Sequence, residues 1–419
     1  MYTLYGTYTD NTSFWAGNDP FGLISEYGSP LYVYNEEILR TRCKEIMNLV
    51  SYENFVPHYS IKSNTNIHLL KIVREEGLHA DVMSPGEIYL ALESGFTPEE
   101  LFYIPNNATP DDMRYAIERG ILTSVDSLAQ LEMYGSLNPG SKVAIRFNPG
   151  IGAGHHEKVI TAGKKTKFGV NPEDIDIVNM LLEKYNLTLV GINQHIGSLF
   201  MNDTPYIQST SFILEFAKQF DNLEFIDLGG GFGIPYHKQE DEARLDMQAL
   251  GMKLDEVLHN FAASYGKKIQ FQIEPGRYIP CESGIVLGTV TSLKSNSGIH
   301  YMGTDIGFNV LQRPIMYGSH HDIELYSQNV NPSHNTLTPF TIVGNICESG
   351  DILAKDRMLP TPNVGDLIGI MDAGAYGFSM SSSYNQRPRC CELLIEPTGT
   401  LRLIRKRETF EDLIRNMLI

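Results

Sequence analysis

The stretch VPHYSIKSN (residues 56–64) begins with branched and aromatic side chains and breaks at Lys62 into Ser63 and Asn64. The first half has the composition of a strand, the second that of a loop. Working outward, the same event recurs. Between residues 55 and 275, short β-branched or aromatic runs alternate with longer segments of helical apolar spacing, the pattern of βα units around a parallel sheet. Eight runs are expected, at 55–61, 79–83, 101–105, 121–125, 142–147, 187–194, 223–228 and 269–273. Eight strands close a (β/α)8 TIM-type barrel, an α/β fold. The runs end at Lys62, Ser84, Asn106 with Asn107, Asp126, Arg146 with Asn148, His195, Gly229 to Gly231, and Glu274. A barrel gathers its reactive groups at these ends. Loops are polar for ordinary reasons too, but that explains less well a lysine, a histidine, a glycine triplet and a glutamate at four separate strand ends.

After about residue 284 the helical spacing stops. GIVLGTVTSL (284–293), FTIVGNI (340–346), DLIGIMD (366–372) and ELLIEP (392–397) read as strands of a second, all-β domain, a Greek-key-like barrel or sandwich. PLYVYN (30–35) reads as a strand that joins it. The expected division is therefore a barrel over 36–283 and a discontinuous β-domain from 1–35 and 284–419. The final ETFEDLIRNMLI (408–419) has helical spacing and predicts a packed terminal helix.

Thirty-three Lys and Arg against 50 Asp and Glu leave a net charge of −17, which argues against nucleic acid and anionic membranes as partners. Small molecules and another protein chain are expected instead. Residues 1–20 lack a basic, apolar leader pattern and no later run is long enough to span a bilayer, so a cytoplasmic protein is expected. Five cysteines at irregular spacing (Cys43, Cys281, Cys347, Cys390, Cys391) form no disulfide framework. The doublets His155/His156 and His320/His321 lie in no metal-binding pattern, and neighbouring side chains diverge; no metal is expected.

A lysine is usually a solvated surface charge. Inside a barrel mouth, however, Lys62 becomes a competent Schiff-base amine, the anchor that pyridoxal 5′-phosphate (PLP) requires. LGGGFG (228–233) follows a strand, and its glycines allow backbone N–H groups close to an anion; phosphate cradle and tight turn are equally good readings. It is not a dinucleotide fingerprint. In IEPGRYI (273–279), Glu274 ends the eighth strand, and a carboxylate facing a pyridine nitrogen keeps it protonated as an electron sink. An arginine there would weaken the sink, so Glu274 separates decarboxylation from racemization. His195 in NQHIGS (193–198) is either a hydrogen-bonded core residue or a group stacked on a cofactor ring, with Ser198 toward phosphate.

Beyond the barrel, Arg313 in QRPIMYGSHH (312–321) can bind a carboxylate bidentately, and Glu348 in GNICESGD (344–351) can hold an ammonium. A thiol can return a proton to a carbanion. CESG occurs twice, with Cys281 and with Cys347, and on the residues alone both thiols are equally eligible, as donors or as small buried side chains.

Taken in order, SIKSN, ADVMSPGE, RFNPG, TKFG, HIGS, LGGGFGIPY, EPGR, RPIMYG, CESGD and GAYGFSMSSSYNQRPR resemble the diaminopimelate decarboxylase family, within the alanine-racemase-like PLP fold. The resemblance runs from about Pro30 to Arg407. CESGD with RPIMYG favours this branch over ornithine-type decarboxylases. It implies that Lys62 carries the cofactor, that His195 stacks on its ring, and that Ser198, Gly229, Gly230, Gly231, Glu274, Pro275, Gly276, Arg277 and Tyr376 bind it. It further implies that Arg277, Arg313, Tyr317, Glu348 and Tyr376 bind substrate. Cys347, rather than Cys281, becomes the proton donor, supplied from a neighbouring subunit of a homodimer with shared active sites. SPGE for the usual SGGE, HIGSLF, EPGRYI and the Cys390–Cys391 pair depart from the family pattern, and Leu199 and Tyr278 lie beside the substrate positions.

The expected reaction is decarboxylation of meso-2,6-diaminopimelate to L-lysine and CO2, with Lys62, His195, Glu274 and Cys347 as the reacting set. The alternatives are a PLP decarboxylase acting on carboxynorspermidine, on D-lysine or D-ornithine, or on a carrier-linked amino acid, or else an inactive PLP-binding homologue. Arg313 discriminates among the first group, because a substrate without a distal carboxylate has no use for it.

Overall fold

A computed structural model of the chain describes residues 2–150, 167–328 and 336–418. His155, His156 and Thr166 of the TKFG block lie outside the described residues. The chain divides into two compact units: Arg40–Ile234 with Arg244–Ile279, and Met1–Leu39 with Pro235–Ala243 and Pro280–Ile419.

The first unit is the barrel. Its strands are Phe55–Ser60, His79–Val82, Leu101–Tyr103, Leu122–Val125, Lys142–Arg146, Thr188–Asn193, Phe225–Asp227 and Gln270–Ile273, one in each expected run. All neighbours are parallel and the eighth strand closes onto the first, with Ile273 opposite Pro57. Aromatic and branched side chains fill the interior, where Phe102, Ile104, Ala144, Val190 and Phe225 pack together. Gly191 is required here: a Cβ at this position would lie 2.0 Å from the Phe225 ring.

The helices start where small polar residues can satisfy their first N–H groups. Ser84 accepts from the Glu87 N–H at 3.2 Å, while the Glu87 carboxylate accepts from the Met83 N–H at 2.7 Å. This cap, worth about 1 kcal/mol, starts helix Pro85–Glu93 immediately after the second barrel strand. The departure SPGE thus places a proline in the first turn, where no N–H is needed.

The second unit is a ten-stranded sheet. Thr3–Tyr5, Ile323–Ser327, Leu367–Ile370, Gly284–Asn296, Ile299–Thr304, Leu337–Val343 and Ile352–Pro360 follow one another across it. Leu31–Asn35 pairs with both Gly284–Asn296 and Glu392–Ile395, and the latter pairs with Leu401–Arg405. Phe14, Trp15, Leu31, Val33, Ile285, Leu287, Leu367, Leu393 and Ile395 form its core. Two pairings are parallel, Leu31–Asn35 with Glu392–Ile395 and Ile299–Thr304 with Leu337–Val343.

The expected packed terminal helix is corrected. Only Phe410–Ile414 is helical, and Phe410 is 74% exposed, so the apolar spacing there buries nothing in this chain. The segment Pro235–Ala243 belongs to the sheet unit because Lys238 Nζ lies 2.7 Å from both carboxylate oxygens of buried Asp372 and 3.4 Å from Glu282. Among the described residues, no helix is long and apolar enough to cross a membrane.

Candidate active site

At the barrel mouth, Lys62 lies in the single 3-10 turn Ile61–Ser63 that follows the first strand. The turn is braced from below: Ser63 donates its hydroxyl to Ser60 O at 3.0 Å and Tyr59 donates to Asn64 O at 3.2 Å. Glu274 ends the adjacent eighth strand, and the two ends are tied by the Ser60 N–H bonded to Pro275 O at 3.1 Å. The amine and the carboxylate expected from sequence therefore belong to neighbouring strands.

The mouth also contains buried charges to which the sequence assigned no role, Arg146 having been named only as a strand end. Asp81, Asp227 and Arg146 are buried with Glu274. Burial alone would raise Glu274, but the hydrogen bond from adjacent Asp227 and the ammonium of Lys62 act against it and hold the carboxyl below its ordinary value. Asp227 and Asp81 move the other way, well above the usual range, through burial and the nearby Glu274 charge. Glu274 thus shifts opposite to its carboxyl neighbours, with Lys62 and Arg146 as the nearby cations. A charged residue within or closing a short buried strand, as in HADV and FID, was the available signal.

His195 receives a hydrogen bond on Nδ1 from the Gly230 N–H at 3.2 Å, so the ring proton sits on Nε2. Burial lowers its pKa, in keeping with a neutral ring, and Nδ1 is 3.5 Å from Glu274 Oε2. The Gly229 N–H donates to Asp227 Oδ1 at 2.8 Å. Of the glycine triplet, the N–H groups of Gly229 and Gly230 are therefore engaged within the protein. Close approach explains the residue type: a Cβ on Gly230 would lie 1.9 Å from Glu274 O. The Gly231 carbonyl accepts from the Phe200 N–H at 3.0 Å, and Arg277 Nη2 donates to the Ser198 hydroxyl at 2.9 Å. These bonds join the loops after the sixth, seventh and eighth strands.

The sheet unit carries the remaining residues. Arg313, 1% exposed, opens the short helix Arg313–Tyr317. Its guanidinium lies 5.5, 5.8 and 5.9 Å from the ring centres of Tyr236, Tyr317 and Tyr376, and donates to the Ser319 hydroxyl at 3.1 Å. The aromatic faces stabilise the cation after its removal from water. Tyr236 was not singled out in the sequence. Tyr376 has φ 57, uncommon for a bulky residue.

The two thiols differ. Cys281 is buried, donates to Asp372 O at 3.1 Å and lies 3.1 Å from the Tyr236 hydroxyl. Cys347 and Glu348 lie in an exposed turn. The doublet His320/His321 does part: His321 Nδ1 lies 2.8 Å from Met371 O, whereas His320 stacks on His237 at 3.6 Å. Ligand atoms of His237, Glu240 and His320 come within 4.8 Å of one another. The Arg357 guanidinium lies 2.8 Å from both ring nitrogens of His320, so a cation already occupies that side of the cluster.

The barrel-mouth residues fit PLP. Arg146 Nη2 and Glu274 Oε1 are buried with no hydrogen-bond partner among the described residues, as expected where a polar group is to be received. The amine of Lys62 suits an aldehyde, the carboxylate of Glu274 a pyridine nitrogen, and Ser198 with Gly231 a phosphate, the N–H groups of Gly229 and Gly230 being already engaged.

Such a site defines a PLP-dependent decarboxylase, and residues 37–281 match the family described as "Pyridoxal-dependent decarboxylase, pyridoxal binding domain". The diaminopimelate decarboxylase of Methanothermobacter thermautotrophicus is 39% identical, covering 95% of this chain and 94% of that protein. The Escherichia coli K12 enzyme of the same name is 33% identical, covering 99% and 98%. The crystal structure of diaminopimelate decarboxylase from Helicobacter pylori complexed with L-lysine superposes with a TM-score of 0.86 at 30% identity, covering 95% of this chain and 98% of that one. The chain belongs to the diaminopimelate decarboxylase family.

Proposed function

We propose that this chain converts meso-2,6-diaminopimelate to L-lysine and CO2, as a cytoplasmic homodimer. The observation that carries the reading is Glu274, buried and tied through its strand end to the Lys62 turn. When bound, PLP supplies an electron sink for the bond from Cα to the departing carboxylate. Lys62 anchors the cofactor and releases the product amine. Glu274 keeps the pyridine nitrogen protonated, which favours CO2 loss over racemization. Neutral His195, fixed by Gly230, provides a flat face for the ring. Ser198, Gly231, the Glu274-to-Arg277 segment and Tyr376 hold the phosphate end.

Arg313 with Tyr317, Glu348, Arg277 and Tyr376 reads the distal amino-carboxylate. A buried guanidinium among three tyrosines favours a substrate with a second carboxylate over D-lysine, D-ornithine or carboxynorspermidine. Cys347 returns a proton to Cα and is supplied by the neighbouring subunit; its exposure in the single chain and the internal commitment of Cys281 support this choice.

The test is incubation of purified chain and PLP with meso-diaminopimelate, D-lysine, D-ornithine and carboxynorspermidine, measuring CO2 and product amine. Lysine and CO2 in equal amounts from diaminopimelate are expected. Turnover of another acid with diaminopimelate inert overturns the substrate, and no CO2 from any of them overturns the reaction.

A further inference from the structure

Four consecutive residues, Cys347 to Gly350, are exposed, yet the turn that carries them is closely braced. Its base is held by Asp351, whose carboxylate accepts from the Ile346 and Phe308 N–H groups at 2.7 Å each. Its tip is held from elsewhere. The Cys347 N–H donates to Asn385 Oδ1 at 2.9 Å, the Tyr384 hydroxyl donates to Glu348 Oε1 at 2.7 Å, and Arg387 Nη2 donates to Asn345 O at 3.0 Å. Three bonds from four consecutive residues thus converge on one turn. Tyr384 is itself steadied by stacking on Phe308 at 5.6 Å.

The splint has an unusual backbone. Asn385 and Gln386 both take left-handed conformations, φ 56 and 54. Asparagine tolerates this region better than most side chains. The kink presents the Asn385 amide oxygen to the Cys347 N–H, and that bond fixes the backbone from which the thiol projects.

We infer that Asn385 is a positioning residue for the thiol of Cys347 and Tyr384 for the carboxylate of Glu348, an inference that rests on the proposed roles of those two groups. In the reaction, the bond from Cα to the carboxylate breaks, CO2 leaves and the electron pair stays with the substrate fragment. The S–H proton passes to Cα and the thiolate regains a proton from water. If the thiol is displaced, protonation at Cα loses its competition with protonation elsewhere on the conjugated system. CO2 then leaves without an equal amount of amine.

The substitutions separate backbone from hydrogen bond. Asn385→Asp keeps the acceptor and tolerates the left-handed turn; Asn385→Gly keeps the turn and loses the acceptor. In the full-length holoenzyme, Asn385→Gly is expected to lower kcat about tenfold at nearly unchanged KM, with amine per CO2 below one. Asn385→Asp is expected to restore the ratio. Tyr384→Phe is expected to raise KM about fivefold with the ratio kept at one.

A second readout needs no turnover. Cys43, Cys281, Cys390 and Cys391 are buried, so an aromatic disulfide reagent reports on Cys347. Its rate should shift at least about threefold in Asn385→Gly and stay near wild type in Asn385→Asp. Should the glycine chain melt early, Asn385→Ser, with a side chain too short to reach the amide, takes its place with the same expected values. Cys347→Ala separates the two levels. If that chain keeps wild-type rate and equal products, the donor assignment fails. If it is impaired while Asn385→Gly matches wild type in ratio and thiol rate, the positioning inference fails alone.

Discussion

The barrel mouth and the Cys347 turn solve the problem of placing reactive groups in opposite ways. At the mouth, Lys62, Glu274, Asp81, Asp227 and Arg146 are set on or beside barrel strands, and their mutual hydrogen bonds and charges pull Glu274 down while Asp81 and Asp227 are pushed up. At the turn, Cys347 and Glu348 are open to solvent and owe their placement to hydrogen bonds from residues 384–387. One arrangement tunes electrostatics through the fold; the other relies on a splint that leaves the groups accessible. Losses at the mouth should therefore abolish chemistry, whereas losses at the turn should misdirect it.

Lys62→Ala gives the sharpest break. The visible absorbance of the bound cofactor and turnover should both vanish, a loss in kcat/KM of more than about 10³-fold; a chain retaining both would refute the anchor assignment. Glu274→Gln should retain the absorbance yet lower kcat by about 10² to 10³-fold, measured at saturating substrate. Arg313→Lys keeps the charge but loses the planar fork, and should raise KM for diaminopimelate about 10- to 100-fold. An unchanged KM would remove Arg313 from substrate recognition.

The smallest effect concerns stability. His58, buried in the first barrel strand, is pushed down to about 3 by burial and by neighbouring His79. Its ordinary value is 6.5. Because the folded value is depressed, its contribution is present above pH 6.5 and lost as pH falls toward 3, about 2 kcal/mol by pH 5. Thermal melts should fall steadily across that window, and a folded His58→Leu chain should show a flatter profile; parallel profiles would discount the residue.

Much of the barrel was legible because strand patterning and polar strand ends coincide eight times, so Lys62, His195 and Glu274 could be located before any coordinates. Asp81 and Asp227 were not singled out, and Arg146 was named only as a strand end, since a charge at or near the end of a strand resembles ordinary loop chemistry until the strands close and bring the charges together. The cage around Arg313 was hidden for another reason: Tyr236 lies in the chain directly after the glycine loop, yet Lys238 pins that segment into the sheet unit. The turn at 347–350 and its splint at 384–387 belong to separate stretches, and no local pattern says that Asn385 reaches Cys347. Short strands such as Thr3–Tyr5 escaped because three residues carry no periodicity. The terminal helix was overcounted because spacing does not reveal whether an apolar face has anything to cover.

The strand Leu31–Asn35, buried at all five positions, bears on how the chain is made. Its partner Glu392–Ile395 lies so far along the chain that the bond from Tyr34 to Glu392 spans 358 residues. At a synthesis rate of about 5 to 20 residues per second, that strand waits roughly 20 to 70 s on the ribosome for its neighbour. The barrel can close in the meantime, so the nascent chain carries a finished domain beside an apolar edge awaiting its partner, the interval in which a chaperone has most to protect.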